Sequence, residues 1–489
     1  MSLGRNAAVN IVGAVVSSLV GIVTVPLYLH AIGADRFGVL AIAWLFLSTF
    51  GFLDFGITRA TQYRVAANGD ANVRASASVV ASALSIALPI SAIGSIVIWG
   101  SIQYFFSGHF NSSDSLRAEI LSSAFVIAAC WPVVLVSAVI NGALLGRHKF
   151  VLVNVSTVAS SVLFQLFPLV VAWTIGPDLR TLLIAALFGR AVPMISMLPA
   201  LYRNLLRGNT PRFHASEARF LVGYGGWASL TTVVATVLMM ADRFLIGALL
   251  GPVAVTVYTA PLQLAQRVSL LPSALSAALF PRLPRATPAE RMALQIRSLS
   301  LIMGGLTGMI GAGLLLAAPF LDLWIGKSLG HAGTPVALFL FFGAWWNALA
   351  IISFSGLQAS GRPKASAIVQ GAELLPVLIA LYAGIRWGGV TGAAAVFLGR
   401  SALDFVLLTW QAGLLRQTVK PVSVCGAVLT VAMLVGTTYR YSVPLWCALG
   451  ACWLVVLAAC SWWALAREDK AMLLGRLSRF APKQRQFDL

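Results

Sequence analysis

Residues 7–30 read AAVNIVGAVVSSLVGIVTVPLYLH, a run without one Asp, Glu, Lys or Arg. An α-helix rises about 1.5 Å per residue, so a run of this length covers the roughly 30 Å hydrocarbon core of a bilayer. It lacks the short apolar region and small-residue cleavage site of a secretory signal, and so reads as a retained first span. Comparable stretches follow almost back to back as far as Leu465. They place spans at about 7–30, 38–56, 78–100, 118–141, 151–175, 182–202, 220–248, 254–280, 298–321, 336–356, 366–385, 388–413, 421–439 and 443–465. The expected fold class is an all-α polytopic membrane protein with about 14 transmembrane helices.

Composition agrees with that reading. Of 489 residues, 59% are hydrophobic and 10% charged, against roughly 45–50% and 25% in soluble domains. The longest polar segments, around 57–77, 203–219 and 466–489, are each too short to fold alone. In a soluble protein the net charge of +19 would suggest nucleic acid, but here its distribution decides. With the N-terminus inside, the segments on the cytoplasmic side hold 24 basic residues and the outer loops six: Arg36, Arg117, Arg180, Lys327, Arg386 and Arg440. That asymmetry is a positive-inside signal, and losing or gaining one span would destroy it. It predicts a bacterial inner (cytoplasmic) membrane protein with both termini cytoplasmic, contact with anionic membrane lipids, and no nucleic-acid partner.

Two motif pairs point to an internal repeat. Gly146-Arg147-His148-Lys149 precedes the fifth span and Gly361-Arg362-Pro363-Lys364 the eleventh, 215 residues apart; Gly189-Arg190 and Gly399-Arg400 lie in the sixth and twelfth spans, 210 apart. Each follows small residues, Ala185-Ala186 and Ala393 to Ala395. Two six-helix lobes of the same orientation follow, expected to enclose a central cavity. The implied organisation is a first lobe over 1–205, a cytoplasmic linker over 206–219, a second lobe over 220–416, two C-terminal helices over 417–465 and a basic cytoplasmic tail over 466–489.

Charges inside spans are the candidate functional residues, because one near the bilayer centre costs about 2.5–3.5 kcal/mol on insertion scales. They are Arg190, Arg243, Arg267, Arg400, Asp242, Glu373 and Asp404. Arg400 and Asp404 share a helix face at i, i+4; Arg190 has only Ala186 and Met194 at that spacing. Each arginine either faces an anion in a cavity or is a buried ion pair or a snorkelling side chain. Glu373 either pairs with an arginine or accepts a coupling proton. Asp54, at the inner end of the second span, reads as structural. The glycines of the ninth span, Gly304, Gly305, Gly308, Gly311 and Gly313, admit either close packing or bending.

The sequence holds no GxxxxGK[ST] loop, HExxH or dinucleotide fingerprint, so neither an ATPase nor any other enzyme activity is expected. Its five histidines are scattered and its five cysteines lack CxxC spacing; no metal site or cofactor is expected, and the cysteines read as packing residues.

Several segments together resemble a known family: Pro26-Leu27-Tyr28-Leu29 through Ile32-Gly33-Ala34-Asp35-Arg36-Phe37-Gly38, Leu53-Asp54-Phe55-Gly56, Asp242-Arg243 before Ile246-Gly247, Tyr258-Thr259-Ala260, Phe280-Pro281, Gly361-Arg362-Pro363-Lys364 and the glycine–alanine run from Gly388 to Ala395. The chain resembles the Wzx-type polysaccharide flippases of the multidrug/oligosaccharidyl-lipid/polysaccharide exporter superfamily, over nearly its whole length. The resemblance implies two lobes around a central cavity, alternating access, and movement of undecaprenyl-diphosphate-linked oligosaccharide to the periplasmic leaflet for O-antigen, capsule or exopolysaccharide synthesis. A polysaccharide polymerase and a chain-length regulator are the protein partners it suggests. On this reading Arg190 and Arg400 contact the diphosphate or an acidic sugar, and Arg243 adds a further basic contact. Arg267, Gln263 and Gln266 contact the glycan, and Glu373 or Asp404 links transport to H+ or Na+. Two other readings belong to the same superfamily, a multidrug or small-molecule antiporter and a peptidoglycan-precursor (lipid II) flippase. A sugar-chain assembly enzyme is disfavoured by the short outer loops.

Overall fold

The computed structural model describes residues 3–49, 57–69, 72–108, 113–209, 211–279, 283, 286–360, 363–466 and 468–471. Asp54 with its Leu-Asp-Phe-Gly motif, Phe280-Pro281, Gly361-Arg362 and most of the basic tail lie outside the described residues. In chain order the α-helices are α1 (Leu3–Thr49), α2 (Ile57–Asn68), α3 (Val73–Gly108), α4 (Asp114–Gly146), α5 (Phe150–Thr174), α6 (Leu179–Leu201), α7 (Ala215–Leu250), α8 (Pro252–Arg267), α9 (Leu270–Leu279), α10 (Pro288–Trp324), α11 (Lys327–Ala359), α12 (Pro363–Gln411), α13 (Leu415–Thr437) and α14 (Val443–Ala464). No strand occurs among the described residues.

Ten stretches of the described residues are long and apolar enough to cross a membrane. Two of them, Val15–Trp44 and Ile368–Gln411, each include parts of two predicted spans, joined where the helix turns on a glycine: Gly33 at φ 77° and Gly389 at φ 57°. Only a residue without Cβ enters that region readily, which is why so short a connection suffices. The predicted spans at 220–248 and 254–280 correspond to α7 and to α8 with α9. The all-α, roughly fourteen-span reading is therefore borne out.

The chain forms two compact units, Met1–Thr259 and Ala260–Leu489. In the first, the segment after the second span is a helix, α2, whose buried Ile57, Ala60, Thr61 and Val65 recur at helical spacing. Gly142 and Gly146 of α4 leave room for it: a Cβ at Gly142 would come 2.5 Å from the Thr58 carbonyl. Thr58 Oγ1 donates to the Ala138 carbonyl at 3.2 Å. At the end of the unit read as periplasmic, Glu119 accepts from Arg36 Nε at 3.2 Å and from the Leu179 backbone N–H at 2.6 Å, tying α1, α4 and the start of α6 together.

The same unit brings two similar glycine turns together. Gly33, between the first two spans, has φ 77° and ψ 169°; Gly251, between the seventh and eighth, has φ 89° and ψ 179°. They lie 218 residues apart, close to the offset of the sequence motifs, and on that register Ala34 matches Pro252 while Gly38 matches Thr256. The two turns touch reciprocally. Thr256 Oγ1 donates to the Ala34 carbonyl at 2.7 Å, and Gly38 packs on the Pro252 carbonyl with no space for a Cβ.

In the second unit α10 packs against α11, α13 and α14. Gly304, Gly308 and Gly311 abut Leu465, Ser461 and Leu457, so three of the five span-nine glycines serve close helix packing. Both ends of the α10 contact are pinned by ions: Arg440 donates to Asp322 at 2.6 and 2.8 Å, and Arg297 to Asp469 at 2.5 Å. Cys425 and Cys460 are buried with their sulfurs 3.5 Å apart, whereas Cys447 and Cys452 face outward and are not core residues.

Candidate functional site

In the first unit Gly189 brings α6 against the main chain of α5 at Leu163 and Phe164. That approach sets the next residue, Arg190, over the Phe164 ring, its Cζ 4.5 Å from the centroid. Phe164 continues into an aromatic set, 5.9 Å from Trp44, which is 5.1 Å from Tyr28. Tyr28 donates to the Gln165 carbonyl at 2.5 Å, and Thr24 bonds the Gln165 side chain at 3.4 Å. Arg190 Nε has no hydrogen-bond partner among the described residues. A guanidinium held by an aromatic face keeps its planar donor edge for an anion, which a carboxylate partner would have occupied.

Arg243 is 7% exposed and its Nε also lacks a partner among the described residues. The adjacent Asp242 is engaged elsewhere: it accepts from the Tyr258 hydroxyl at 2.8 Å and from the Arg243 backbone N–H at 2.7 Å. The described contacts bring Arg190 and Arg243 to different neighbours. Gln263 and Arg267 share one face of α8 at i, i+4, Gln266 is exposed beside them, and Arg267 Nε is unpartnered among the described residues.

The tightest constellation is on α12. This helix doubles back at Gly389, with Gly384 and Gly392 in backbone contact beside the turn. Glu373 lies sixteen residues before the turn and Asp404 fifteen after it, at matching depth roughly 23 Å along each arm. The hairpin therefore sets the two carboxyls face to face with Arg400 beside them. Arg400 Nε is 3.7 Å from Asp404 Oδ2, within ion-pair range but too long for a hydrogen bond. Glu373 is 4% exposed, and neither of its oxygens receives a donor among the described residues. Two carboxyls and one guanidinium leave one negative charge uncompensated unless a proton or a cation joins them. No group of three or more His, Cys, Asp or Glu able to hold a metal occurs among the described residues.

Arg400 and Asp404 were visible from their spacing. The meeting of Glu373 with them, and the Phe164–Trp44–Tyr28 set under Arg190, depended on hairpin register and helix packing. The short glycine turn at Gly388-Gly389 was the one sequence signal for the first of these.

A family described as polysaccharide biosynthesis protein matches residues 3–287. A Shigella flexneri protein named as an O-antigen transporter is 28% identical over 418 residues, 84% of this chain and 97% of that protein. Among solved structures, the lipid II flippase MurJ in an inward closed conformation superposes with a TM-score of 0.71 at 12% identity, covering 96% of this chain and 99% of that one. An inward-facing multidrug resistance MATE transporter of the MOP superfamily gives 0.67 at 16% identity, covering 84% and 99%. At those identities the structural likenesses establish the fold.

Proposed function

From the premise that this chain belongs to the polysaccharide biosynthesis protein family, with the fold of the MOP-superfamily transporters, we propose that it flips undecaprenyl-diphosphate-linked oligosaccharide repeat units from the cytoplasmic to the periplasmic leaflet. The relation to an O-antigen transporter supports a lipid-linked oligosaccharide as cargo. The observation that carries the reading is Arg190, a membrane-embedded guanidinium based on an aromatic ring instead of a carboxylate. Such a group is matched to diphosphate or acidic sugar.

In this mechanism Arg190, with Arg400 and Arg243, receives the anionic head of the lipid, and Arg267, Gln263 and Gln266 receive the glycan. The Glu373–Asp404 pair takes up a proton or Na+ and releases it as the lobes read over 1–205 and 220–416 alternate. Binding at that pair removes the uncompensated charge, so occupancy and conformation are linked. Both termini lie in the cytoplasm of a bacterium, and polymerase and chain-length regulator act on the delivered repeat units.

Proteoliposomes carrying a fluorescent short-chain polyprenyl-diphosphate oligosaccharide test this. Wild type moves the lipid between leaflets, and Arg190→Ala slows it at least ten-fold at equal protein level. Flipping that is unchanged in Arg190→Ala refutes the site, and no flipping of several glycans by wild type turns the reading toward a small-molecule antiporter. Lysis on depletion of the protein from its host, instead of loss of a surface polysaccharide, would identify the peptidoglycan precursor as cargo.

A further inference from the structure

On the face of the first unit read as cytoplasmic, away from the groups assigned above, a cavity of about 450 Å³ opens among Asn72, Arg74, Ser78, Arg212, His214 and Glu217. Its charges do not cancel. Glu217 is the carboxylate in the lining, and it is fully taken up by Arg64, which donates to it twice, at 2.7 and 2.9 Å. Arg74 and Arg212 have no carboxylate partner among the described residues. Two guanidiniums without a carboxylate partner among the described residues thus share one concavity.

Both are solvent-exposed at the mouth of the cavity and give it a positive charge. Arg74 stands in the first turn of α3, where the helix dipole already presents positive charge. The start of α7 faces the same cavity, and His214 at its N-cap makes no side-chain capping bond. The cavity is also held rigidly: buried Ser82 of α3 accepts from the His214 backbone N–H at 3.0 Å and donates to its carbonyl at 3.4 Å. An anion bound between Arg74 and Arg212 meets two guanidinium donors.

The neighbours of the cavity indicate an anion carried by a lipid. Phe213 lies between Arg212 and His214 and is 56% exposed; Tyr63, 55% exposed, stacks on Phe220 at 6.0 Å, and Arg64 covers the same ring at 5.0 Å. Exposed aromatic side chains beside arginines, where two apolar helices start, are the pattern of a membrane interface.

We propose that this cavity is a docking site for the phosphate or diphosphate head of a membrane lipid, taken up at the cytoplasmic surface before it reaches the transport pathway. The side of the membrane, and the identification of the natural occupant as the transported lipid, rest on the flippase reading; the anion chemistry does not.

The test uses the full-length protein in nanodiscs of neutral phosphatidylcholine, with binding of three probes measured: a short-chain polyprenyl diphosphate, phosphatidylglycerol and inorganic pyrophosphate. Arg74→Gln with Arg212→Gln should weaken lipid-borne phosphate at least ten-fold, while Arg74→Lys with Arg212→Lys retains most of the binding and controls for folding. Selective loss of polyprenyl diphosphate identifies the cargo lipid as occupant; equal loss of phosphatidylglycerol identifies the bulk anionic lipid. The proposal is overturned if no probe distinguishes the glutamine variant from wild type, or if pyrophosphate binds as tightly as the lipids. Because binding is read instead of flipping, failure here leaves the transport test through Arg190 untouched.

Discussion

Replacing Glu373 with Gln should make the protein more stable and its transport indifferent to an imposed ion gradient. In the wild type Arg400 Nε stands 3.7 Å from Asp404, with Glu373 facing the same pair and no donor to either of its oxygens among the described residues. At an effective dielectric of about 20, a unit charge at about 4 Å contributes roughly 4 kcal/mol. An ionised Glu373 is attracted by Arg400 and repelled by Asp404, so these two effects oppose each other. To these is added the loss of hydration, several kcal/mol for a buried ion, which a bound proton or cation relieves. A glutamine is neutral without either, keeps the shape, and leaves Arg400 and Asp404 as a simple pair. Stability in detergent should rise by about 1–3 kcal/mol, read as the midpoint of thermal unfolding. Transport carries the second signal. One charge moved across 100 mV is worth about 2.3 kcal/mol, close to a fifty-fold bias, and that bias should disappear in Glu373→Gln while exchange without a gradient persists. A variant that is less stable than wild type by more than about 2 kcal/mol would show Glu373 to be a structural acceptor. A variant that retains the bias would show that the coupling ion is bound elsewhere.

Arg440→Ala removes the bidentate partner of Asp322 and its bond to Thr334; with both side chains partly buried, a loss of about 1–3 kcal/mol is expected in chemical or thermal unfolding. Gly311→Leu should disrupt the packing of α14 on α10, because Leu457 already fills the space a Cβ would need; the expected cost is about 1–3 kcal/mol, with easier proteolysis of the C-terminal helices. Gly389→Ala, at φ 57°, should destabilise the α12 hairpin by about 1–2 kcal/mol and lower gradient-driven transport together with it, since the same turn sets Glu373 opposite Asp404. Phe164→Leu should weaken transport less than Arg190→Ala does, by several-fold, as the guanidinium loses its ring but keeps its charge.

Some of this was legible one residue at a time. Apolar runs of bilayer length, the unequal share of basic side chains in alternate connecting segments and the Gly-Arg pairs in the predicted sixth and twelfth spans need no neighbour to be recognised, because hydration and helix geometry act along the chain. The same holds for Arg400 with Asp404, four residues apart on one helix. The motifs around Gly33, Gly38 and Asp242-Arg243 sufficed for the family, which the match over residues 3–287 bears out.

Tertiary structure decided the rest, for a physical reason that recurs at each point: the partners are far apart in sequence and meet only through close backbone approach. Gly189 lets α5 and α6 touch, and thereby gives Arg190 a ring where its own helix offers only Ala186 and Met194. Gly384 and Gly392 set the register that brings Glu373 to Asp404. Arg74 and Arg212 read in sequence as members of a cytoplasmic basic excess; only the pairing of Arg64 with Glu217 leaves those two without a carboxylate partner among the described residues of one cavity. Composition determined that the chain lives in a membrane and its charges predict which way it faces, but which of those charges lack a partner among the described residues depended on packing.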